Sequence, residues 1–121
     1  MIRISILYPH IPGGRFDHAY YETVHIPLAL DLLGDAVRSV SVERGVSPGH
    51  PWPDPTYTAV CHFDCDSVDA YAQAMLPHLA RLQADLLNYS DRSAVVQVSE
   101  ITVDADRRGG AGCQGVPLSG P

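Results

Sequence analysis

The sequence predicts an α+β domain with the ferredoxin-like element order β-α-β-β-α-β. Four short segments alternate apolar with other residues, and two longer segments between them carry apolar residues at helical spacing. In this order the four strands form one antiparallel sheet with both helices on one face. The other face of the sheet is left open.

The first strand and the first helix are marked by local signals. Residues 2–8 place isoleucines and a tyrosine at every second position, which is typical of a strand with one buried face. Asp17 can accept a hydrogen bond from a first-turn amide, and Phe16 is spaced to pack on Tyr21. Gly34 suits the end of this helix.

The second and third strands are predicted over residues 39–45 and 57–64, which again alternate. The connection between them contains four prolines and Trp52. It predicts a semi-rigid loop without regular structure. Two arrangements fit: a loop that folds over a ligand, or a plain surface connection with Trp52 packed on the core.

The second helix is predicted to begin near Asp66 and Ser67 and to break at Pro77, which cannot donate a backbone hydrogen bond. Residues 94–103 form the last strand. Both alternating sets in this strand are partly apolar, so we expect the open face to pack on the sheet of a second copy. The domain therefore covers residues 1–103, and residues 104–121 form a glycine-rich tail.

Composition narrows the function classes. The chain has 121 residues, a formal charge of −6 and no strongly basic cluster, which disfavours nucleic acid as a partner. No apolar run has the roughly 20 residues of a membrane span, and the start does not resemble a signal peptide. We expect a cytoplasmic protein. The three cysteines, Cys61, Cys65 and Cys113, predict neither a disulfide framework nor a metal site.

The most informative stretch for chemistry is "YETVHIP", which places His25 two residues before Pro27 inside a helix. Tyr21 and His25 are four apart and share a face, at the border of an apolar stripe. That stripe is predicted to consist of Tyr20, Val24, Leu28 and Leu32. Pro27 removes one helical hydrogen bond and is expected to bend the axis nearby. His25 is then either a proton-transfer group or a structural residue bonded to a backbone oxygen.

The other histidines have weaker signals. His78 follows Pro77, so both helix breaks carry an adjacent histidine and can line one cavity if they face each other. His62 alternates out of phase with its neighbours on the third strand, which leaves its face undecided. His10, His18 and His50 are predicted to be solvated, and no spacing among the histidines indicates a metal site.

The chain resembles the EthD family in its segments "ISILYP", "RFDHAYYETVHIPLALDLLG", "SVSVERG", "FDCDSVDAYAQAMLPHLARLQADLLNY" and "VVQVSE". The most specific part is Tyr21 to Pro27, supported by "PH" at 77–78 and "NY" at 88–89. The resemblance implies a dimeric α/β barrel, in which the sheets of two ferredoxin-like subunits pack together. It also maps the family's first-helix histidine onto His25. Related barrels differ widely in chemistry, so the fold does not settle the reaction.

Three functions fit these observations. The first is a cofactor-independent enzyme that acts on a small apolar oxygenated or aromatic molecule, such as an isomerase, decarboxylase, dehydratase or oxygenase. The second is a ligand-binding dimer that assists an oxidoreductase pathway, and the third is a haem-binding protein. The predicted catalytic residues are His25, Tyr21 and His78. The predicted substrate-binding residues are Tyr8, Tyr20, Val24, Leu28, His62 and Trp52.

Overall fold

The computed structural model describes residues 1–107 as one four-stranded antiparallel sheet with helices on one face. The strands are β1 (Ile2–Pro9), β2 (Ser39–Arg44), β3 (Tyr57–Cys65) and β4 (Val95–Glu100). Their order across the sheet is β2-β3-β1-β4, so β2 and β4 form the edges. The α+β, ferredoxin-like prediction is confirmed.

The two helical regions are both interrupted. The first contains α1 (His18–Tyr20), a wider π turn (Tyr21–His25), α2 (Ile26–Leu33) and a final 3-10 turn (Gly34–Ala36). The second contains α3 (Val68–Met75), a 3-10 turn (Leu76–His78), α4 (Leu79–Asp85) and a second 3-10 turn (Leu86–Asn88). The predicted break at Pro77 is therefore present, and the helix restarts after it.

Local sequence signals fix the helix ends as expected. The Asp17 side chain accepts from the Tyr20 amide, and the Ser67 side chain accepts from the Ala70 amide. The rings of Phe16 and Tyr21 pack with centroids 5.1 Å apart. Gly34, with a φ of 57°, ends α2 in a conformation that other residues rarely adopt.

The core lies between the helices and one face of the sheet. The register places Ile4 of β1 opposite Phe63 of β3 and Val98 of β4, and all three point toward the helix layer. The helices cover the middle strands but leave the inner face of β4 uncovered, where Val96 and Val98 are 60% and 50% exposed. This side is where the core meets solvent.

The open face of the sheet is more polar than expected. Arg3 donates to Asp64 at 2.7 Å, and the Ser5 hydroxyl lies 2.8 Å from Nδ1 of His62. Nε2 of His62 lies 3.4 Å from the Glu43 carboxylate. The apolar residues of this face are Leu7, Val60 and Val95.

Four expectations are corrected. The last strand ends at Glu100 instead of Val103, and His18 is half-buried against the Phe16 ring instead of solvated. Trp52 is 68% exposed and does not pack on the core, because its loop runs past the end of the sheet. The buried helix stripe is one position later than predicted and consists of Tyr21, His25, Ile26, Ala29 and Leu33. The predicted tail starts at residue 104, and residues 108–121, with Cys113, lie outside the described part.

The buried helix stripe lies one position later than predicted because polar atoms on it find hydrogen-bond partners inside the protein. Apolar periodicity treats tyrosine and histidine as border residues. Tyr21 and His25 are nevertheless only 1% and 8% exposed, since the polar atoms of His25 find partners inside the protein. Val24, which has no polar requirement, is left 43% exposed on the neighbouring face.

Candidate functional site

A pocket of about 300 Å³ lies between the sheet and the two helical regions, and it reaches the surface beside β4. Its volume is at the lower end of the range for small-molecule sites, about 300–1,000 Å³. Most of its wall is apolar and includes Leu33, Phe63, Met75, Leu79, Leu82 and Leu86. A polar cluster in the wall consists of Tyr8, Tyr21, His25 and Tyr89, and Tyr71, Gln83 and Ser93 also contribute to the lining. The pocket therefore combines an apolar chamber with one cluster of proton-bearing groups.

The wide turn in the first helical region positions His25. The Ile26 amide donates to the carbonyl of Tyr21, five residues back, and the next residue, Pro27, has no amide to donate. In a turn of this width, residues four apart lie nearly above one another. The rings of Tyr21 and His25 accordingly stack at 5.6 Å with an angle of 14°. The bend that Pro27 predicts is thus expressed as a π turn just before it, which aims His25 into the pocket.

Asp85, at the end of α4, fixes the orientation of the His25 ring through a hydrogen bond to Nδ1. Its Oδ2 lies 2.8 Å from Nδ1 of His25. Its Oδ1 accepts from the Tyr20 hydroxyl at 2.7 Å and from Nδ2 of Asn88 at 2.9 Å. Both carboxylate oxygens are therefore committed, and the carboxylate cannot rotate away from the histidine without losing these bonds.

The hydrogen bonds keep Asp85 ionised. Burial alone would raise the pKa of this carboxyl group, but bonds from Tyr20, Asn88 and His25 outweigh burial and leave the pKa below its usual value. An ionised Asp85 can only accept, so Nδ1 of His25 carries the proton of the neutral ring. Nε2 of the neutral ring is then an acceptor.

Two tyrosines extend the cluster on the other side of His25. The Tyr89 hydroxyl lies 3.3 Å from Nε2 of His25 and 2.8 Å from the Tyr8 hydroxyl. Because Nε2 is an acceptor, Tyr89 donates to it, and Tyr8 in turn donates to Tyr89. The result is a directed chain of hydrogen bonds that runs from Tyr8 through Tyr89 and His25 to Asp85.

Burial keeps the phenols protonated. It is the main cause that raises the pKa of Tyr8, Tyr21 and Tyr89 above the usual value for a phenol. Burial also raises the pKa of the Cys61 thiol to about 12. Cys61 and Cys65 are both buried and free, so they behave as packing residues. Within the cluster of Tyr8, Tyr21, His25 and Tyr89, the groups placed to exchange a proton with a bound molecule are His25 and the Tyr89 hydroxyl that bonds to it.

The structure brings together only some of the predicted site residues. Tyr8, Tyr21 and His25 line the pocket, whereas Tyr20 contacts Asp85 from behind. The other predicted residues do not line it. His78 is half-buried on the 3-10 turn, and His62 is on the open sheet face. Val24 lies on the π turn, Leu28 on α2 and Trp52 on the exposed loop.

Sequence reasoning missed Asp85 and Tyr89. A signal for both was present, since Leu82, Asp85, Leu86 and Tyr89 follow the spacing of one helix face. A lone carboxylate on an otherwise apolar stripe indicates a buried partner. The sequence did not show that this partner was His25, 60 residues earlier.

Residues 1–107 contain neither a membrane-spanning helix nor a metal-binding cluster. No helix there has the length and apolar character needed to cross a membrane. No three side chains of histidine, cysteine, aspartate or glutamate in the same range converge as a group that could hold a metal ion.

Comparisons with known proteins agree on one family. The EthD domain model matches residues 15–93. An EthD-like protein from Ralstonia eutropha is 37% identical, with a TM-score of 0.82 over 88% of this chain and 96% of that protein. An ethyl tert-butyl ether D (EthD) family protein from Bacillus halodurans is 19% identical, with a TM-score of 0.63 over 84% of this chain and 99% of its own.

A more distant likeness supports the fold alone. A dimeric protein of ferredoxin-like fold from Bacteroides fragilis is 15% identical, with a TM-score of 0.51 over 83% of this chain and 94% of that one. No curated protein matches the chain.

Proposed function

The chain belongs to the EthD family, and we propose that it is an enzyme that transfers protons by general acid/base catalysis. Its substrate is a small, mostly apolar, oxygenated or aromatic molecule. The observation that carries this proposal is the pairing of Asp85 with His25, 2.8 Å apart, at the polar part of an apolar pocket. The reaction needs no group beyond these side chains and so proceeds without a cofactor.

The arrangement supports the proposal in three ways. Asp85 holds the ring so that Nε2 presents its lone pair on the side of the pocket. The carboxylate also stabilises the imidazolium that forms when Nε2 takes up a proton. The apolar wall excludes water, which strengthens both effects.

The direct test is nuclear magnetic resonance of the protein with 15N-labelled histidine. We expect the His25 ring to carry its proton on Nδ1 at neutral pH and its signals to move when a small aromatic ketone or phenol is added. His78 serves as the internal control, because it does not line the pocket. His25 signals that ignore every compound in a panel of neutral aromatic carbonyls and phenols would argue against the proposal.

We further propose that two copies pair through the open sheet face, in a reducing compartment such as the cytoplasm. Leu7, Val60 and Val95 form an apolar patch on this face, and a structural neighbour is dimeric. The free thiols of Cys61 and Cys65 suit a reducing compartment.

Sedimentation equilibrium tests the pairing. We expect a mass of two chains for the wild type and of one chain for Val95→Glu, which places a charge in the patch. The control is Val24→Glu, on the outer side of the first helix. A wild-type protein that stays monomeric at high micromolar concentration would contradict the proposal.

A further inference from the structure

The described part of the chain places no arginine in the wall of the pocket. All eight basic residues of the chain are arginines, and none of those within residues 1–107 lines the pocket. Within residues 1–107, five of them bond to acidic side chains or backbone carbonyls elsewhere: Arg3, Arg15, Arg38, Arg44 and Arg92. A carboxylate or phosphate on a ligand would find no ionic partner in this pocket.

Within residues 1–107, the fixed charge next to the pocket is negative. Asp85 lies directly behind His25 and is ionised at neutral pH. An anionic ligand would lose its hydration in the apolar chamber and would also be repelled by this carboxylate. A neutral ligand has neither penalty. The wall of the pocket and the Asp85 carboxylate therefore disfavour an anionic ligand relative to a neutral one.

The hydrogen-bond chain supplies a donor at the moment when a negative oxygen forms. In the resting state the Tyr89 hydroxyl donates to Nε2 of His25, 3.3 Å away. Once Nε2 has taken a proton it can no longer accept, so the Tyr89 proton is released to another acceptor. Tyr8 continues to donate to the Tyr89 oxygen from 2.8 Å and strengthens it as a donor.

We infer that the substrate is an uncharged carbonyl compound with a hydrogen on the carbon beside the carbonyl, and that the Tyr89 hydroxyl, supported by Tyr8, binds its enolate oxygen. This inference rests on the proposed function and narrows it to one substrate class. The lack of an arginine among the described residues of the wall favours an uncharged substrate. The position of the Tyr89 hydroxyl beside Nε2 of His25 assigns it as the donor to the enolate oxygen.

The proton transfer balances without another reactant. Nε2 of His25 takes the proton, the electron pair of the C–H bond forms a carbon–carbon double bond, and the carbonyl pair moves to the oxygen. Tyr89 donates a hydrogen bond to this oxygen. Return of the proton from Nε2 to the same carbon regenerates the ketone, and return to a different position of a conjugated system isomerises it.

A matched pair of ketones tests the substrate class. Exchange of the acetyl hydrogens for deuterium in D2O is followed by proton nuclear magnetic resonance for 4-methylacetophenone and for 4-acetylbenzoate, which differ by one carboxylate. We expect the second-order rate constant of the protein-catalysed exchange to be at least about tenfold higher for the neutral ketone.

Two variants test the role of Tyr89. Tyr89→Phe keeps the ring in the core and removes the donor, and we expect it to lower the rate for the neutral ketone by about 10²-fold. The control is Tyr57→Phe, whose hydroxyl makes no side-chain hydrogen bond within the described residues and which does not line the pocket. Thermal unfolding of both variants shows whether the fold is kept.

Each outcome separates the inference from the proposed function. Equal exchange of both ketones, lost in a His25 variant, would overturn the substrate class and leave acid/base catalysis in place. Equal rates in Tyr89→Phe and Tyr57→Phe would overturn the assignment of the enolate donor. No exchange of either ketone would overturn the inference, and the response of the His25 signals to other ligands would then decide the proposed function separately.

Discussion

Replacing His25 with glutamine is expected to slow proton exchange of a neutral ketone by about 10²- to 10⁴-fold, the usual worth of a positioned acid/base group. Glutamine is close to histidine in size and polarity, but its side chain neither takes up nor releases a proton near neutral pH. Asp85 keeps its bonds from Tyr20 and Asn88 in this variant, so its charge is not left without partners. The loss should therefore appear in the rate rather than in the fold.

The matched control for this variant is His78→Gln. Both histidines lie beside a proline in the helical layer, but only His25 lines the pocket. Exchange is measured as initial rates across a range of ketone concentrations, together with ligand binding. If His25→Gln binds the ketone as the wild type does and exchanges it equally fast, the chain is a binding module. If His78→Gln loses as much as His25→Gln, the loss is not specific to the pocket.

Local patterns were sufficient for most of the fold. The period of two in residues 2–8 and 57–64 reflects strands with one face under the helices, so it could be read without knowing their partners. The cap at Ser67 and the break at Pro77 are equally local, since each depends on the hydrogen bonds of one turn. These features were predicted correctly because their causes lie within a few residues of the chain.

The site depended on contacts that no local pattern contains. Whether His25 faces a backbone oxygen or a carboxylate depends on how the end of α4 packs against the π turn. That packing joins residues 60 apart in the sequence. Pairing the two prolines suggested that His78 would be the second group, but the 3-10 turn there directs the following leucines into the pocket. The partner was Asp85, two turns further along the same helical region.

Replacing Asp85 with asparagine is expected to lower the exchange rate by up to about 10⁴-fold, as the same change does when a carboxylate orients a catalytic histidine in a Ser-His-Asp site. The reason lies in the two hydrogen bonds that Oδ1 of Asp85 accepts. Tyr20 and Asn88 both donate to Oδ1, so they hold the amide oxygen of an asparagine in that position. The amide nitrogen must then face Nδ1 of His25.

That orientation reverses the tautomer of the histidine. An amide nitrogen donates, so Nδ1 must lose its proton and Nε2 must carry it. The lone pair that faced the pocket is lost while the ring stays in place. We expect the 15N signals of His25 to report a proton on Nε2 in this variant and on Nδ1 in the wild type. This spectroscopic change distinguishes a His25 ring in the opposite tautomer from a general loss of structure.

The pH dependence of this loss follows from the charge of Asp85. Because its pKa in the folded protein is below the usual value, the carboxylate is ionised at every pH above about 4, and its stabilising effect disappears only as the pH falls through that lowered pKa. Asp85→Asn should thus remain slower than the wild type at every pH between about 5 and 8, and the difference should shrink under stronger acid. Asp69→Asn, at an exposed position in the first turn of α3, is the control. Equal rates of the two proteins within this range would mean that the carboxylate of Asp85 does not support the reaction there, and the proposed catalysis would lose the fixed acceptor on which it depends.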